Sequence, residues 1–419
     1  MAVPIELDSL PFDPINARAA LDQLPTSPAV FALYGAEVNA EPYIGRTPNL
    51  RGRLERLLQP SPQHPRRLQL AGRVRQIRWR LTGSEFESLL VQFNLLVEVY
   101  GDKGLERMHL RNPAFVRFLG GNPYPRIIVT HRPSQRERDW AYGPFPSRAA
   151  AERFVDEMLK LFLLRRCTDD LDPNPEYPGC IYSEMKMCLA PCYKGCTDER
   201  YAEEASAVQQ FLTTRGESRL RSLRAERDAA SGNLDFEAAA ALHAQVQRVE
   251  AVRALASELV RPLSQLRAVI LQASANPDEI AVFVYENNCL RGPAAFSTVG
   301  MRIQNEQAGS TSLFAHPVAL EPVPEAPLAE NGSGAPVKVA RGVLETRLEV
   351  ALAALPGNPS TTLRQGHLAL LKRWYYRPEA RRSGEIFFPG DDGRWPVKAI
   401  LRGAGRVAAK ILTGTSNAE

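Results

Sequence analysis

The sequence predicts a multidomain α+β protein, and three observations predict it. A length of 419 residues with 44% apolar content is enough for more than one core. Short strand-like apolar runs are interspersed with stretches of helical periodicity. The composition also changes sharply along the chain, from arginine-rich to cysteine-rich to helical to proline-rich. These changes divide the chain into 1–105, a small mixed sheet with helices; 106–200, a cysteine-rich region; 201–257, a helical hairpin; 258–304, a small β-rich connection; 305–340, a flexible linker; and 341–419, an α+β C-terminal region.

Taken in order, Val30 to Tyr34 reads as a buried strand and Pro42 to Gly45 as a second. Asn49 to Leu58 reads as a helix with Asn49 at its N-cap, and Leu89 to Val99 as another helix. Arg126 to Thr130 predicts a strand. The Gly-Pro-Phe-Pro-Ser turn at 143–147 then opens a helix over 148–163, with Ser147 as its cap. A break at Ser231-Gly232-Asn233 predicts two antiparallel helices, and Ala239, Leu242, Val246 and Val249 form a narrow apolar seam along the second. Three apolar runs between 268 and 299 predict a meander. Five prolines within 305–340 predict an unstructured linker.

The charge balance, 52 Lys+Arg against 47 Asp+Glu, is only mildly basic. Its distribution is more informative. From Arg46 to Arg80 there are ten arginines and one acidic residue, Glu55, an electrostatic footprint for a polyanion such as nucleic acid. The opening MAVPIELDSLPFDP lacks a basic-then-apolar pattern, and no apolar stretch approaches the ~20 residues of a membrane span. A soluble, cytoplasmic protein is therefore expected, in which structural disulfides are rare. The six cysteines, five of them between 167 and 196, need another explanation.

The order Ala29-Val30-Phe31, Pro42-Tyr43-Ile44-Gly45-Arg46, then Asn49-Leu50-Arg51-Gly52-Arg53 resembles the GIY-YIG nuclease domain, in the version that opens the excinuclease-C (UvrC) family. That resemblance implies two tyrosines, an arginine and a glutamate around one divalent cation, Mg2+ or Mn2+. Tyr43 and Arg53 fall on the second tyrosine and the arginine. Phe31 falls on the first tyrosine and Gln92 on the glutamate. Phenylalanine has no hydroxyl with which to polarise water, and an amide is a poor ligand for a hard cation. Arg46, Arg51 and Arg56 remain as candidate phosphate contacts. Tyr34 is on the other strand face, and Glu85 is about 10 Å from Gln92 along the helix; neither restores the missing groups.

Cys167, Cys180, Cys188 and Cys192 sit in Arg-Arg-Cys, Pro-Gly-Cys-Ile-Tyr and Met-Cys-Leu-Ala-Pro-Cys. By chemistry alone such a set suits either an iron–sulfur cluster or structural zinc. The order of these segments resembles the same family, and that resemblance implies a 4Fe-4S cluster. Cys196 is an additional thiol, and Cys289 reads as core. Asn233-Leu234-Asp235-Phe236, followed by an alanine run and Leu242, resembles the UVR motif through which the family docks on excinuclease B. Leu234, Phe236 and Leu242 would be the contacts and Asp235 the cap.

Together the resemblance covers about 25–255. It implies a role in nucleotide excision repair, part of the DNA-damage (SOS) response, with DNA and excinuclease B as partners. The expectation is a DNA-binding protein with weak or absent incision. One alternative is an active metal-dependent endonuclease making a single incision near a lesion. Another is an iron–sulfur redox regulator of DNA binding. No Asp and His set beyond 258 suits a second nuclease site.

Overall fold

The computed structural model of the chain describes residues 6–37, 40–58, 70–131, 141–169, 171–299, 301, 341–353, 361–390 and 392–415. The predicted linker at 305–340 lies outside them, as do Arg66 and Arg67 of the arginine-rich stretch.

The first unit comprises β1 (Asp8–Pro11), α1 (Ala17–Asp22), β2 (Ala29–Gly35), β3 (Tyr43–Thr47), α2 (Leu50–Leu58), β4 (Val74–Leu81), α3 (Glu85–Tyr100) and α4 (Lys103–Arg107). The sheet order is β1-β4-β2-β3. The mixed sheet expected from the sequence is corrected here: every pairing in it is antiparallel. β2 is nearly all apolar because both its faces are covered. Ala29, Phe31 and Leu33 pack with α1 and α2, whereas Val30 and Ala32 pack with Val91 and Leu95 of α3. Asn49 caps α2 as expected, its Oδ1 accepting from the Gly52 amide at 2.8 Å. Ser84, whose Oγ accepts from the Glu87 amide at 3.1 Å, starts α3 four residues before the apolar run that predicted it.

The second unit comprises β5 (Ala114–Phe118), β6 (Ile127–Thr130), β7 (Ala141–Phe145), α5 (Arg148–Met158), α6 (Ile181–Glu184), α7 (Asp198–Thr213), α8 (Glu217–Gly232), α9 (Phe236–Ala254) and β8 (Arg261–Pro262). The sheet runs β6-β5-β7-β8, so residues after the helical hairpin close the sheet begun before the cysteines. Ser147 caps α5 through the Ala150 amide. The two helices expected over 201–257 are three. The chain also turns at Arg215 and Gly216, both with positive φ, where no Gly-Asn pair marks the break. At Gly216 a side chain would come within 2.8 Å of Arg253.

The third unit comprises β9 (Ala268–Ala273), β10 (Glu279–Glu286), β11 (Cys289–Ser297), α10 (Arg341–Ala353), α11 (Thr361–Tyr375), β12 (Glu385–Phe387) and α12 (Val397–Thr415). Its antiparallel sheet, β11-β10-β9-β12, contains the predicted meander. One face, with Ile270, Ala281 and Phe283, packs on Phe86, Leu89, Leu90 and Phe93 of α3 and on Trp374 of α11. The other, with Val269, Leu271 and Val282, packs on α10 and α12. α3 is thus buried between the first sheet and the third, which explains its apolar residues on both sides.

Two glycines permit this contact. A Cβ on Gly83 would lie 2.1 Å from the backbone of Ser274, and one on Gly366 would lie 1.9 Å from the Phe93 ring. His367 of α11 joins the three elements by hydrogen bonds. Its Nδ1 accepts from the Leu290 amide at 3.2 Å, and its Nε2–H donates to Asn94 Oδ1 at 2.8 Å. Among the described residues no helix is long and apolar enough to cross a membrane.

Candidate functional site

In the first unit, β2 and β3 pair so that Phe31 lies opposite Gly45 and Leu33 opposite Tyr43. Paired residues share a face, so Phe31 and Tyr43 both look toward the α2 side. Phe31 is 1% exposed and Tyr43 is 37% exposed, and their ring centroids are 6.1 Å apart. The tip of the Phe31 ring lies beneath Gly45, 2.7 Å from where a Cβ would stand there. Phe31 is therefore a core residue packed with α1 and α2.

Arg53 is half-buried on α2. Arg51 donates from Nε to the Leu24 carbonyl at 2.7 Å, and the exposed Arg56 donates from Nε to Gly52 at 2.9 Å, leaving the ends of both guanidinium groups for other partners. Gln92 is half-buried on α3, the helix on the other face of the sheet, so it could meet Tyr43 and Arg53 only around the sheet edge. β4 lies inside the arginine-rich stretch. Its alternation of Ile77, Trp79 and Leu81 with Gln76, Arg78 and Arg80 is a strand signal hidden there.

Arg46 does not stand alone. It lies 3.4 Å from Glu85 Oε1, and the same carboxylate takes both Nη atoms of Arg377, at 2.7 and 2.8 Å. The Arg377 hydrogen bonds and charge, with Arg46 adding to them, hold Glu85 down to about 2. Glu85, the α3 carboxylate weighed as a replacement for the missing glutamate, is thus already bound across to the third unit.

The cysteine loop lies between α5 and α7. Cys167, Cys180, Cys188 and Cys192 are all half-buried. Burial pushes the Cys188 thiol up to about 11, and Cys167, Cys180 and Cys192 add to the rise, so the four sulfurs lie within one another's field. Burial, then Cys180 and Cys167, likewise raise Cys192. Cys196 packs near the core of the second unit, its thiol raised by burial and by Asp198.

Several bonds organise the loop. The Ala190 amide donates to Cys188 Sγ at 3.3 Å, the Leu189 amide to Leu163 at 3.0 Å, and the Asn174 amide to the Cys192 carbonyl at 2.9 Å. Ser183 Oγ bonds both the amide and the carbonyl of Cys180. Ala190 and Lys194 adopt positive φ on either side of the Pro191–Tyr193 turn. Beside the loop, Arg165 is 1% exposed; its Nε donates to Tyr124 at 2.9 Å and its Nη1 to Asp169 at 2.7 Å, and Nη1 is 3.5 Å from Cys167 Sγ. Among the described residues no three His, Cys, Asp or Glu side chains close on one metal ion.

At the hairpin tip Asp235 caps α9, its Oδ1 accepting from the Ala238 amide at 3.0 Å, as expected. Leu234 is 74% and Phe236 66% exposed. Leu242 instead packs against the second unit's core, and the seam continues through Val246, Val249 and Val252.

An arginine-faced antiparallel sheet, a four-thiol loop and a helical hairpin thus follow one another along the chain. Residues 115–211, from β5 to α7, match the family model of the UvrC/Cho excinuclease middle domain. UvrABC system protein C of Alcanivorax borkumensis is 29% identical over 226 residues, 54% of this chain and 37% of that protein. Those of Pseudomonas protegens and Aliivibrio salmonicida are 29% and 28% identical, each over 39% of its own length. Over these stretches the chain is similar to proteins of the UvrC family, and it spans about two fifths of the length of these curated relatives. No solved structure matches it.

Proposed function

We propose that this protein binds DNA in nucleotide excision repair through a GIY-YIG-like unit that incises weakly or not at all. The observation that carries this reading is Phe31: the side chain beside Tyr43 is a buried phenyl ring, with no hydroxyl to activate water. Gln92 supplies no carboxylate for a cation, and Glu85 is held by two arginines. Arg46, Arg51, Arg53 and Arg56 retain donors suited to phosphate, with Tyr43 at the rim. Such binding weakens steeply as salt rises, through counterion release.

In the same reading Cys167, Cys180, Cys188 and Cys192 hold a 4Fe-4S cluster. A single tetrahedral zinc, with bonds of about 2.3 Å, needs its sulfurs about 3.8 Å apart. The four thiols lie close enough in one loop to feel one another's charge, a set that the chemistry allows to either group and that the family resemblance assigns to the cluster. When bound, the cluster supplies an anchor for the loop and a one-electron redox centre. Leu234 and Phe236, exposed at the hairpin tip, would dock on excinuclease B.

The test is incision of a damaged duplex with Mg2+ or Mn2+ and excinuclease B present, beside Arg53→Ala. Binding without incision is expected, and Phe31→Tyr with Gln92→Glu should raise cutting. Incision by the natural chain that Arg53→Ala abolishes would overturn the reading in favour of an active endonuclease.

A further inference from the structure

Arg165 is a cation in the protein interior that pairs with no carboxylate among the described residues. Its two hydrogen-bonded carbonyl acceptors, on Tyr124 and Asp169, are neutral dipoles. Its Nη2 is buried with no hydrogen-bond partner, and among the described residues no carboxylate pairs with the group. Guanidinium does not give up its proton in proteins, so it cannot avoid the cost of burial by becoming neutral. A buried charge left uncompensated is strongly destabilising. The group placed against it that can carry the opposite charge is Cys167, 3.5 Å from Nη1, one of four thiols that share a field.

Four thiolates around an iron–sulfide core bring more negative charge than the core brings positive, so the loaded loop is an anion. We propose that Arg165 is the counter-cation of that cluster, a positioning residue that retains it and sets its redox potential. This rests on the reading that the four cysteines hold a cluster. The guanidinium fits the role: it is dry, so its field is little screened, and two carbonyls fix it in place. Because the cation favours whichever cluster state is more negative, its removal destabilises the reduced form more than the oxidised one. Tyr201 further fixes the segment, its hydroxyl accepting from the Arg165 amide at 3.1 Å and donating to Pro125 at 2.8 Å.

The experiment uses the full chain purified anaerobically, with Arg165→Gln, which keeps a donor but no charge, and Arg165→Lys, which keeps the charge. Iron and sulfide content, iron loss to an external chelator and the midpoint potential are read on each. Arg165→Gln should release iron at least about tenfold faster and show a more negative midpoint, and Arg165→Lys should restore most of both. After iron is stripped, Arg165→Gln should melt at the same temperature as the parent or higher, because a stranded charge has gone; simple damage to the fold would lower it. If Arg165→Gln does not fold, Arg165→Met takes its place in each measurement. Equal chelator rates and midpoints in the parent and the neutral variant would overturn the proposal while leaving the cluster reading intact. A parent chain that purifies without iron and sulfide would overturn the cluster reading, and the proposal with it.

Discussion

His367 should make this protein acid-labile at a pH where carboxylates are still ionised. Only one tautomer satisfies its surroundings, because Nδ1 must be bare to accept from the Leu290 amide while Nε2–H donates to Asn94. Protonation would set two donors against each other in a fully buried position, and burial holds the imidazole down at about 3 against an ordinary 6.5. The folded pKa is depressed, so the contribution is complete above 6.5 and is lost as pH falls toward 3. At pH 5 the protein has lost about 2 kcal/mol through this residue. His367→Leu leaves the Leu290 amide and the Asn94 carbonyl without partners, at about 3 kcal/mol near pH 7.5. Its deficit against the parent should shrink to about 1 kcal/mol at pH 5, since the variant has nothing there to protonate. Urea unfolding of both proteins at pH 7.5, 6 and 5 measures this gap. A gap that stays constant or widens as pH falls would refute the reasoning.

Three further outcomes follow from the contacts between units and from the hairpin tip. Glu85→Gln should cost about 1 kcal/mol at neutral pH, because the bridge to Arg377 is partly exposed and screened. Its carboxyl is depressed to about 2 from 4.5, so that cost should vanish in urea titrations as pH falls through this window. Gly83→Ala should cost more than about 2 kcal/mol in thermal unfolding, because its Cβ would meet the Ser274 backbone at 2.1 Å and neither chain can give way cheaply. Phe236→Ser should leave the melting temperature within about a degree or two, since the ring is exposed. The same change should weaken capture of excinuclease B at least about tenfold in a binding titration; unchanged capture would count against the hairpin tip as the docking surface.

Where local chemistry decides the structure, the residues could be read in advance. Asn49, Ser147 and Asp235 were assignable as caps because a short polar side chain before an apolar run satisfies an amide three positions on. β2, the meander and the core position of Cys289 followed from apolar runs. What escaped was fixed by distant partners. β4 was hidden because its outward arginines look like a solvated basic stretch. The turn at Arg215-Gly216 escaped because helical residues continue on both sides of it. Nothing in the sequence indicated that Arg377 would reach Glu85, 292 positions away, or that His367 would seek Asn94. Of the candidate site, the strands that carry Phe31 and Tyr43 were legible from their apolar runs and the two residues themselves from the resemblance, whereas the burial of Arg165 away from any carboxylate of the described residues is a property of packing alone.

The position of α3 bears on the function. A helix that serves only its own domain has one apolar stripe; α3 buries Val91 and Leu95 against β2 and Phe86, Leu89, Leu90 and Phe93 against the third unit. Gly83 and Gly366 keep the approach close, and Arg377 and His367 add polar links on either side of it. Gln92 therefore sits on a helix whose orientation is set from two directions, and it cannot swing toward Tyr43 without disturbing both cores. A metal-dependent nuclease needs its ligands to approach the cation within a few tenths of an ångström, so, on the proposed reading of Gln92 as the ligand position, a fixed helix carrying an amide there fits a phosphate-binding surface. The same rigidity makes restoration informative. With the backbone held in place, a gain in cutting by Gln92→Glu with Phe31→Tyr would show that the two positions meet around the sheet edge, and no gain would place the incision site elsewhere.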